Sequence, residues 1–207
     1  MCIPGGFSYG DDVAAGRIFA NQLRSQLADV MHEFKNSDKL ILGICNGFQV
    51  LIKSGLLLED DAQGDPPATL CWNNHGLYED RWVTLQNSTD KCVFLRGVQQ
   101  VYLPIAHAEG KFVMRDQQVA DQLESNQQLA LRYVNADGAP ADGFPENPNG
   151  AQRNVAGVCD DSGRVFGLMP HPERFLDGTQ HPRWTREGLQ QEGDGVAIFR
   201  NAVEYFA

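Results

Sequence analysis

The apolar run Lys39-Leu40-Ile41-Leu42-Gly43-Ile44 stops at Cys45-Asn46-Gly47 and passes at once into Phe48-Gln49-Val50-Leu51-Ile52-Lys53-Ser54, with Gly55 placed as a C-cap. The order is strand, sharp turn, helix, and a helix leaving a strand that abruptly must pack back against it. Upstream, Met1-Cys2-Ile3 reads as a buried strand running into a turn at Pro4-Gly5-Gly6. Asp11 and Asp12 favour a helix start. Ala15, Phe19, Leu23, Leu27, Met31 and Phe34 then predict one amphipathic helix of about six turns. A helix between two short apolar strands is the pattern of a parallel sheet.

The texture changes in the second half. Segments 81–85, 101–105, 129–134, 155–158 and 165–169 read as strands, 116–123 as a short helix and 196–206 as the last helix. Residues 136–154 are rich in Gly, Pro, Asn and Asp and read as a loop. The chain is therefore expected to be α/β, with antiparallel strands added late. Its 207 residues, 42% of them hydrophobic, suffice for a single domain with an ordinary core.

Charge and cysteine usage narrow the function classes. With 27 acidic against 17 basic residues the net charge is −10, which repels phosphate backbones and acidic membrane surfaces. No Lys/Arg cluster offsets it, so nucleic acid is not an expected partner, and neither is a membrane. The opening MCIPGGFSYGDD lacks the basic and long apolar regions of a signal peptide. Cys2, Cys45, Cys71, Cys92 and Cys159 are odd in number and irregular in spacing, which argues against a disulfide framework or a zinc site. A reducing cytoplasm is the expected location.

Cys45 carries the chemistry. Gly43-Ile44-Cys45-Asn46-Gly47 is a G-x-C-x-G counterpart of the serine nucleophile elbow. A residue there sits on a tight turn over a helix N-terminus, and that terminus with a nearby imidazole is expected to favour thiolate. The bland alternative is a small buried cysteine at a strand end. His171 and Glu173 lie in Met169-Pro170-His171-Pro172-Glu173-Arg174 after an apolar strand. The flanking prolines favour extended geometry, in which residues i and i+2 share a side, so Glu173 can orient the His171 ring. Gly5-Gly6 can turn backbone N–H groups toward an oxyanion, with Asn46 N–H as the second donor.

Longer segments carry a resemblance. PGGFSYGDDVAAGRIFANQL (4–23), GICNGFQVLIKSGLL (43–57), RWVTL (81–85), PIAHAEGKF (104–112), NPNG (147–150) and GLMPHPERF (167–175) span nearly the whole chain. It resembles the class I glutamine amidotransferases, and among them the glutaminase subunits of phosphoribosylformylglycinamidine synthase. The resemblance implies a flavodoxin-like α/β sandwich with a mostly parallel central sheet and added antiparallel strands. It implies Cys45 as nucleophile, His171 as base and Glu173 as its partner, with Gly6 and Asn46 as oxyanion donors. Gln49 and Gly5 fall on the substrate-binding part, Gly5 shaping the turn. The implied activity is hydrolysis of L-glutamine to glutamate and ammonia. The ammonia serves an ATP-dependent conversion of formylglycinamide ribonucleotide to its amidine in purine biosynthesis. The implied partners are a synthetase subunit, which holds ATP and magnesium, and a small bridging subunit. No metal or organic cofactor is expected in this domain. A glutaminase serving another acceptor, and an inactive fold relative, are the alternatives.

The sequence departs from the family in two places. Ala151 stands where a serine usually follows NPNG. The family also places a strand, a helix and a strand before Pro4-Gly5-Gly6, and nothing here supplies them. Residues 1–207 are therefore expected to be an N-terminally truncated amidotransferase domain of low stability or activity. His107 and Glu109 are expected to be structural or subunit-contact residues, Asn73-Asn74-His75-Gly76 a turn, and Trp72, Trp82 and Trp184 packing residues. Arg81 and Arg174 are candidates for ion pairs or docking contacts.

Overall fold

The computed structural model describes residues 1–207. Its strands are β1 (Cys2–Ile3), β2 (Ile41–Ile44), β3 (Ala68–Cys71), β4 (Glu79–Asn87), β5 (Gln100–His107), β6 (Lys111–Met114), β7 (Leu131–Val134), β8 (Val155–Cys159) and β9 (Val165–Leu168). Its helices are α1 (Arg17–Gln26), α2 (Ala28–Asn36), α3 (Asn46–Ser54), α4 (Gln117–Ser125), α5 (Trp184–Glu187) and α6 (Val196–Glu204). Seven strands form one sheet in the order β1-β2-β9-β8-β7-β4-β5, and β3 pairs with β6 in a small second sheet. None of the helices is long and apolar enough to cross a membrane.

The α/β class stands, but the sheet is mixed rather than mostly parallel. β1 with β2 and β2 with β9 are parallel. The pairings β8–β9, β7–β8, β4–β7 and β4–β5 are antiparallel. Parallel neighbours need a crossover of a dozen or more residues, usually helical. α1 and α2 supply one between β1 and β2, whereas β8 and β9 are joined by a tight turn in which Asp160 Oδ1 accepts the N–H groups of Arg164 and Val165 at 3.0 Å each. β1 is a two-residue edge strand, and of the expected buried strand Met1-Cys2-Ile3 only Ile3 is buried.

The expected single helix over 15–34 is two helices. Leu27, at φ −129°, breaks the run between α1 and α2. Ala20, Leu23 and Met31 are buried while Leu27 and Val30 are exposed, so the apolar stripe does not continue through the break. The helix also begins later than the aspartates suggest. Gly16, at φ 73°, precedes it, and the Gly16 N–H lies 3.4 Å from Asp11 Oδ1.

α3 is the centre of the molecule. It packs on β2 and β9 on one side and on α1 and β3 on others, so every residue in it except Lys53 is buried. Its apolar residues meet the sheet and its neighbours, while Asn46, Gln49 and Lys53, at i, i+3 and i+7, share one polar face. Phe48, fully buried, faces Phe112 of the small sheet with ring centroids 6.3 Å apart; burying such a ring contributes about 1.5–3 kcal/mol.

Candidate active site

The elbow is built by close packing. Cys45 has φ 50° and ψ −104°, an unfavourable conformation for a side-chain-bearing residue that costs about 1–3 kcal/mol and persists only where the surroundings impose it. A Cβ on Gly47 would lie 1.9 Å from the Ile3 carbonyl oxygen, and one on Gly43 would lie 2.7 Å from the Gly47 oxygen. Both glycines of G-x-C-x-G are thus needed for α3 to lie against β1 and β2. The Cys45 N–H donates to Leu168 O at 2.8 Å, which ties the elbow to the end of β9.

The same strand end delivers His171. Ile44 of β2 is in parallel register with Leu168 of β9, and Ile3 of β1 with Gly43 of β2. Gly5-Gly6, Cys45 and His171 therefore leave the sheet together, at the carboxyl ends of three adjacent parallel strands, where open α/β sheets bind ligands. His171 Nδ1 lies 2.6 Å from Glu173 Oε1, and the His171 N–H donates to Pro104 O at 2.8 Å. The pairing is not made by an extended chain as expected. Pro172, Glu173 and Arg174 form a single 3-10 turn, and that turn folds the carboxylate back onto the ring. His171 is buried and its Nε2 has no partner.

Gly5 separates the two side chains. A Cβ there would stand 2.8 Å from His171 Cε1 and 3.5 Å from Cys45 Cβ. Gly5 is thus a matter of room, while Gly6, at φ 139°, holds the conformation that only glycine adopts easily. The resting sulfur contradicts the expected thiolate. Cys45 Sγ lies 3.6 Å from Ala106 O. Burial pushes the thiol up to about 12, outweighing the Asn46 N–H beside the sulfur, which pulls the other way.

A cavity of about 270 Å³ opens beside the sulfur, lined by Gly6, Asp11, Cys45, Gln49, His107 and Glu109 among others. Gln49 reaches it but is held at both ends. Its Nε2 donates to Glu109 O at 2.8 Å, and its Oε1 accepts from Asn46 Nδ2 at 3.0 Å. Asn46 also clamps the glycine turn, its Oδ1 accepting the Ser8 N–H at 3.2 Å and its Nδ2 donating to Asp11 Oδ1 at 3.2 Å. Glu109 Oε2 accepts the Ala15 N–H at 3.2 Å and lies 3.8 Å from Lys53 Nζ.

His107 and Glu109 thus face the cavity, where the sequence suggested structural or docking positions. The signal that could have found them is the spacing in Ala106-His107-Ala108-Glu109-Gly110. Gly110 admits the imidazole, since a Cβ there would come within 2.2 Å of His107 Cε1. Asn73-Asn74-His75-Gly76 is a turn as expected, but Asn73 is buried and bonded to His107. The NPNG loop buttresses the same wall, Asn149 Nδ2 donating to Gly110 O at 2.8 Å. Ala151 offers its N–H to the side-chain oxygens of Asn147 and Asn149, so this loop's polar contacts do not depend on a hydroxyl there. Trp82 packs against Phe175 and Tyr102. Trp72 does not pack: it is 59% exposed and lines the cavity mouth. Arg81 pairs with Glu79 and lies over the Phe144 ring, while Arg174 is exposed.

The family model of the CobB/CobQ-like glutamine amidotransferase domain matches residues 1–206. The chain is 47% identical over 206 residues to the phosphoribosylformylglycinamidine synthase subunit PurQ of Dehalococcoides mccartyi, covering 99% of this chain and 78% of that protein. This chain belongs to the glutamine amidotransferase family. A second PurQ subunit, from Methanococcus maripaludis, is 45% identical to this amidotransferase over 218 residues, covering 100% of this chain and 80% of that protein. Among solved structures, PurLQS from Thermotoga maritima matches with a TM-score of 0.73 and 32% identity, over 100% of this chain and 80% of that one. The branch expected from the motifs, the PurQ subunits, is the one these relatives represent.

Proposed function

We propose that this amidotransferase hydrolyses L-glutamine through Cys45, His171 and Glu173 and passes the ammonia to a synthetase subunit. That subunit uses it in the ATP-dependent conversion of formylglycinamide ribonucleotide to formylglycinamidine ribonucleotide. The observation that carries the reading is the emergence of a strained cysteine and a carboxylate-bonded histidine from adjacent parallel strands, on either side of Gly5.

Because the resting thiol is protonated, its proton passes to His171 as sulfur attacks the carboxamide carbon. Glu173 on Nδ1 stabilises the imidazolium that forms. The oxyanion takes the backbone N–H groups of Gly6 and Asn46, each worth about 3 kcal/mol in comparable sites. His171 returns its proton to the leaving nitrogen, which departs as ammonia. It then activates water against the thioester, and glutamate leaves. The scheme uses this chain's own groups; ATP and magnesium are assigned to the synthetase. The kinship with PurQ subunits and with the PurLQS structure supports a synthetase and a small third subunit as partners. Phe7 and Trp72, 64% and 59% exposed at the cavity mouth, offer an apolar rim for such a partner.

The test is Cys45→Ala in the complex with the synthetase. Glutamine-dependent amidine formation should be abolished while ammonia-dependent formation persists. Retained glutaminase turnover would overturn the assignment.

A further inference from the structure

The unused group in the cavity is His107. It is 2% exposed, and its Nε2 has no hydrogen-bond partner. A buried polar atom left bare calls for an explanation. Its polarity follows from Asn73, whose Nδ2 donates to the carbonyls of Leu77 and His107 at 2.9 Å each. Asn73 Oδ1 accepts the Gly110 N–H at 3.1 Å. Those three partners have fixed roles, so the amide cannot be flipped. His107 Nδ1, 3.2 Å from the same Oδ1, must therefore be the N–H donor. Burial, then the neighbouring His171, holds the ring's pKa down at about 3, so it is neutral. In a neutral ring with Nδ1 protonated, Nε2 is an acceptor only.

Gly110 lies against the ring too closely for even a methyl group, and the bond to Asn73 holds Nδ1. His107 therefore carries one unused lone pair in the wall of the cavity that holds Cys45, directly after the residue whose carbonyl lies 3.6 Å from the sulfur. Glutamine has two kinds of N–H donor. Its α-ammonium has the carboxylates of Glu109 and Asp11 to meet in the same cavity, which leaves the carboxamide for the His107 imidazole that also lines it.

We propose that His107 Nε2 accepts a hydrogen bond from the carboxamide NH2 of bound L-glutamine, orienting the nitrogen that leaves and selecting amide over acid. This rests on the glutaminase reading above. Holding one N–H fixes the rotation of the leaving nitrogen, so that its lone pair meets the proton on His171 as the tetrahedral intermediate collapses. Product glutamate carries a carboxylate there, which can only set lone pair against lone pair and so favours release.

The experiment compares two substrates with the same acyl group, L-glutamine and L-glutamic acid γ-methyl ester, which has no N–H on its γ-group. Both are assayed with the chain in complex with its synthetase subunit. His107→Ala should lower kcat/KM for glutamine by about 10- to 100-fold and leave the ester within about threefold of wild type. Equal losses on both substrates, or no loss on either, would overturn the proposal. A wild-type protein that cleaves neither would overturn the glutaminase reading instead, and the proposal with it. A second measurement does not depend on the His107 variant folding. In Cys45→Ala protein with 15N-labelled histidine, the His107 Nε2 resonance should be that of a bare ring nitrogen and should move on adding glutamine but not the ester. A protonated Nε2, or an equal response to both ligands, would overturn it.

Discussion

Replacing Gly5 by alanine tests the site with one methyl group. Gly5 is not in the left-handed region, so alanine brings no backbone strain there, and the effect is confined to what the methyl meets. It meets His171 Cε1 at 2.8 Å, Nδ1 at 3.3 Å and Cys45 Cβ at 3.5 Å. Carbon atoms rest at about 3.5–4.0 Å, so the imidazole edge must retreat by about 0.7 Å or more. It has little freedom to do so, being buried and held by a 2.6 Å bond from Nδ1 to Glu173. A misplacement near 1 Å costs on the order of 100-fold in rate. Gly5→Ala should therefore lower kcat for glutamine by about 10- to 100-fold, with a stability loss of about 1–3 kcal/mol from overpacking. The control is Gly6→Ala, where nothing lies within 4 Å but φ is 139°; that variant should be strained by about 1–3 kcal/mol without a collision. Steady-state glutaminase kinetics and thermal melts of both variants decide the matter. A Gly5→Ala protein with kcat within about twofold of wild type would refute the claim that Gly5 is there for the imidazole.

Two further outcomes follow from the same geometry. Glu173→Gln should cost less activity than His171→Ala, by a factor on the order of ten to a hundred, because Glu173 orients a ring that itself moves the protons; equal losses in two folded variants would contradict that division. Alkylation of Cys45 by neutral iodoacetamide should be slow at pH 7 and still rising at pH 10. A thiol raised from 9.0 to about 12 stays protonated through neutral pH and ionises only as pH climbs toward the higher value. A rate plateau near neutrality, measured by mass spectrometry of the labelled peptide, would show that the resting site holds a thiolate after all.

What the sequence reveals and what it hides divide by range. The elbow is legible because its causes are local. An apolar run ends in two glycines spaced around a cysteine, and those glycines are the positions where a Cβ would strike Ile3 or Gly47. The His171–Glu173 pairing is legible as a neighbourhood, though the 3-10 turn that makes it is not, since prolines on both sides of His171 also suit an extended chain. The break at Leu27 leaves no mark, because leucine is a good helix former and one non-helical residue does not disturb an apolar count. β3 and β6 escape notice because each is four residues long and gains its identity only from the other, some forty positions away. The polarity of His107 is set by Asn73, 34 residues distant, through three backbone groups that no local pattern specifies.

The two halves of the mixed sheet do different work at the cavity. The parallel strands β1, β2 and β9 each end at the same rim, so one register delivers the glycine turn, the cysteine and the histidine pair together. Slipping that register by one residue would shift one strand end against its neighbour by about 3.3 Å and draw these groups apart. β5 reaches the same place from the antiparallel part of the sheet and runs past its end into Ala108-Glu109-Gly110. The end of β5 and that segment together supply another wall, with the Ala106 carbonyl 3.6 Å from the sulfur and His107 and Glu109 lining the cavity. The Pro104 carbonyl accepts the His171 N–H, so this wall is bonded directly to the segment that carries the base. A sheet parallel throughout would have to bring a second set of loops over the rim. The antiparallel strand places its last residues there directly, and the cavity closes on polar groups whose partners are already fixed.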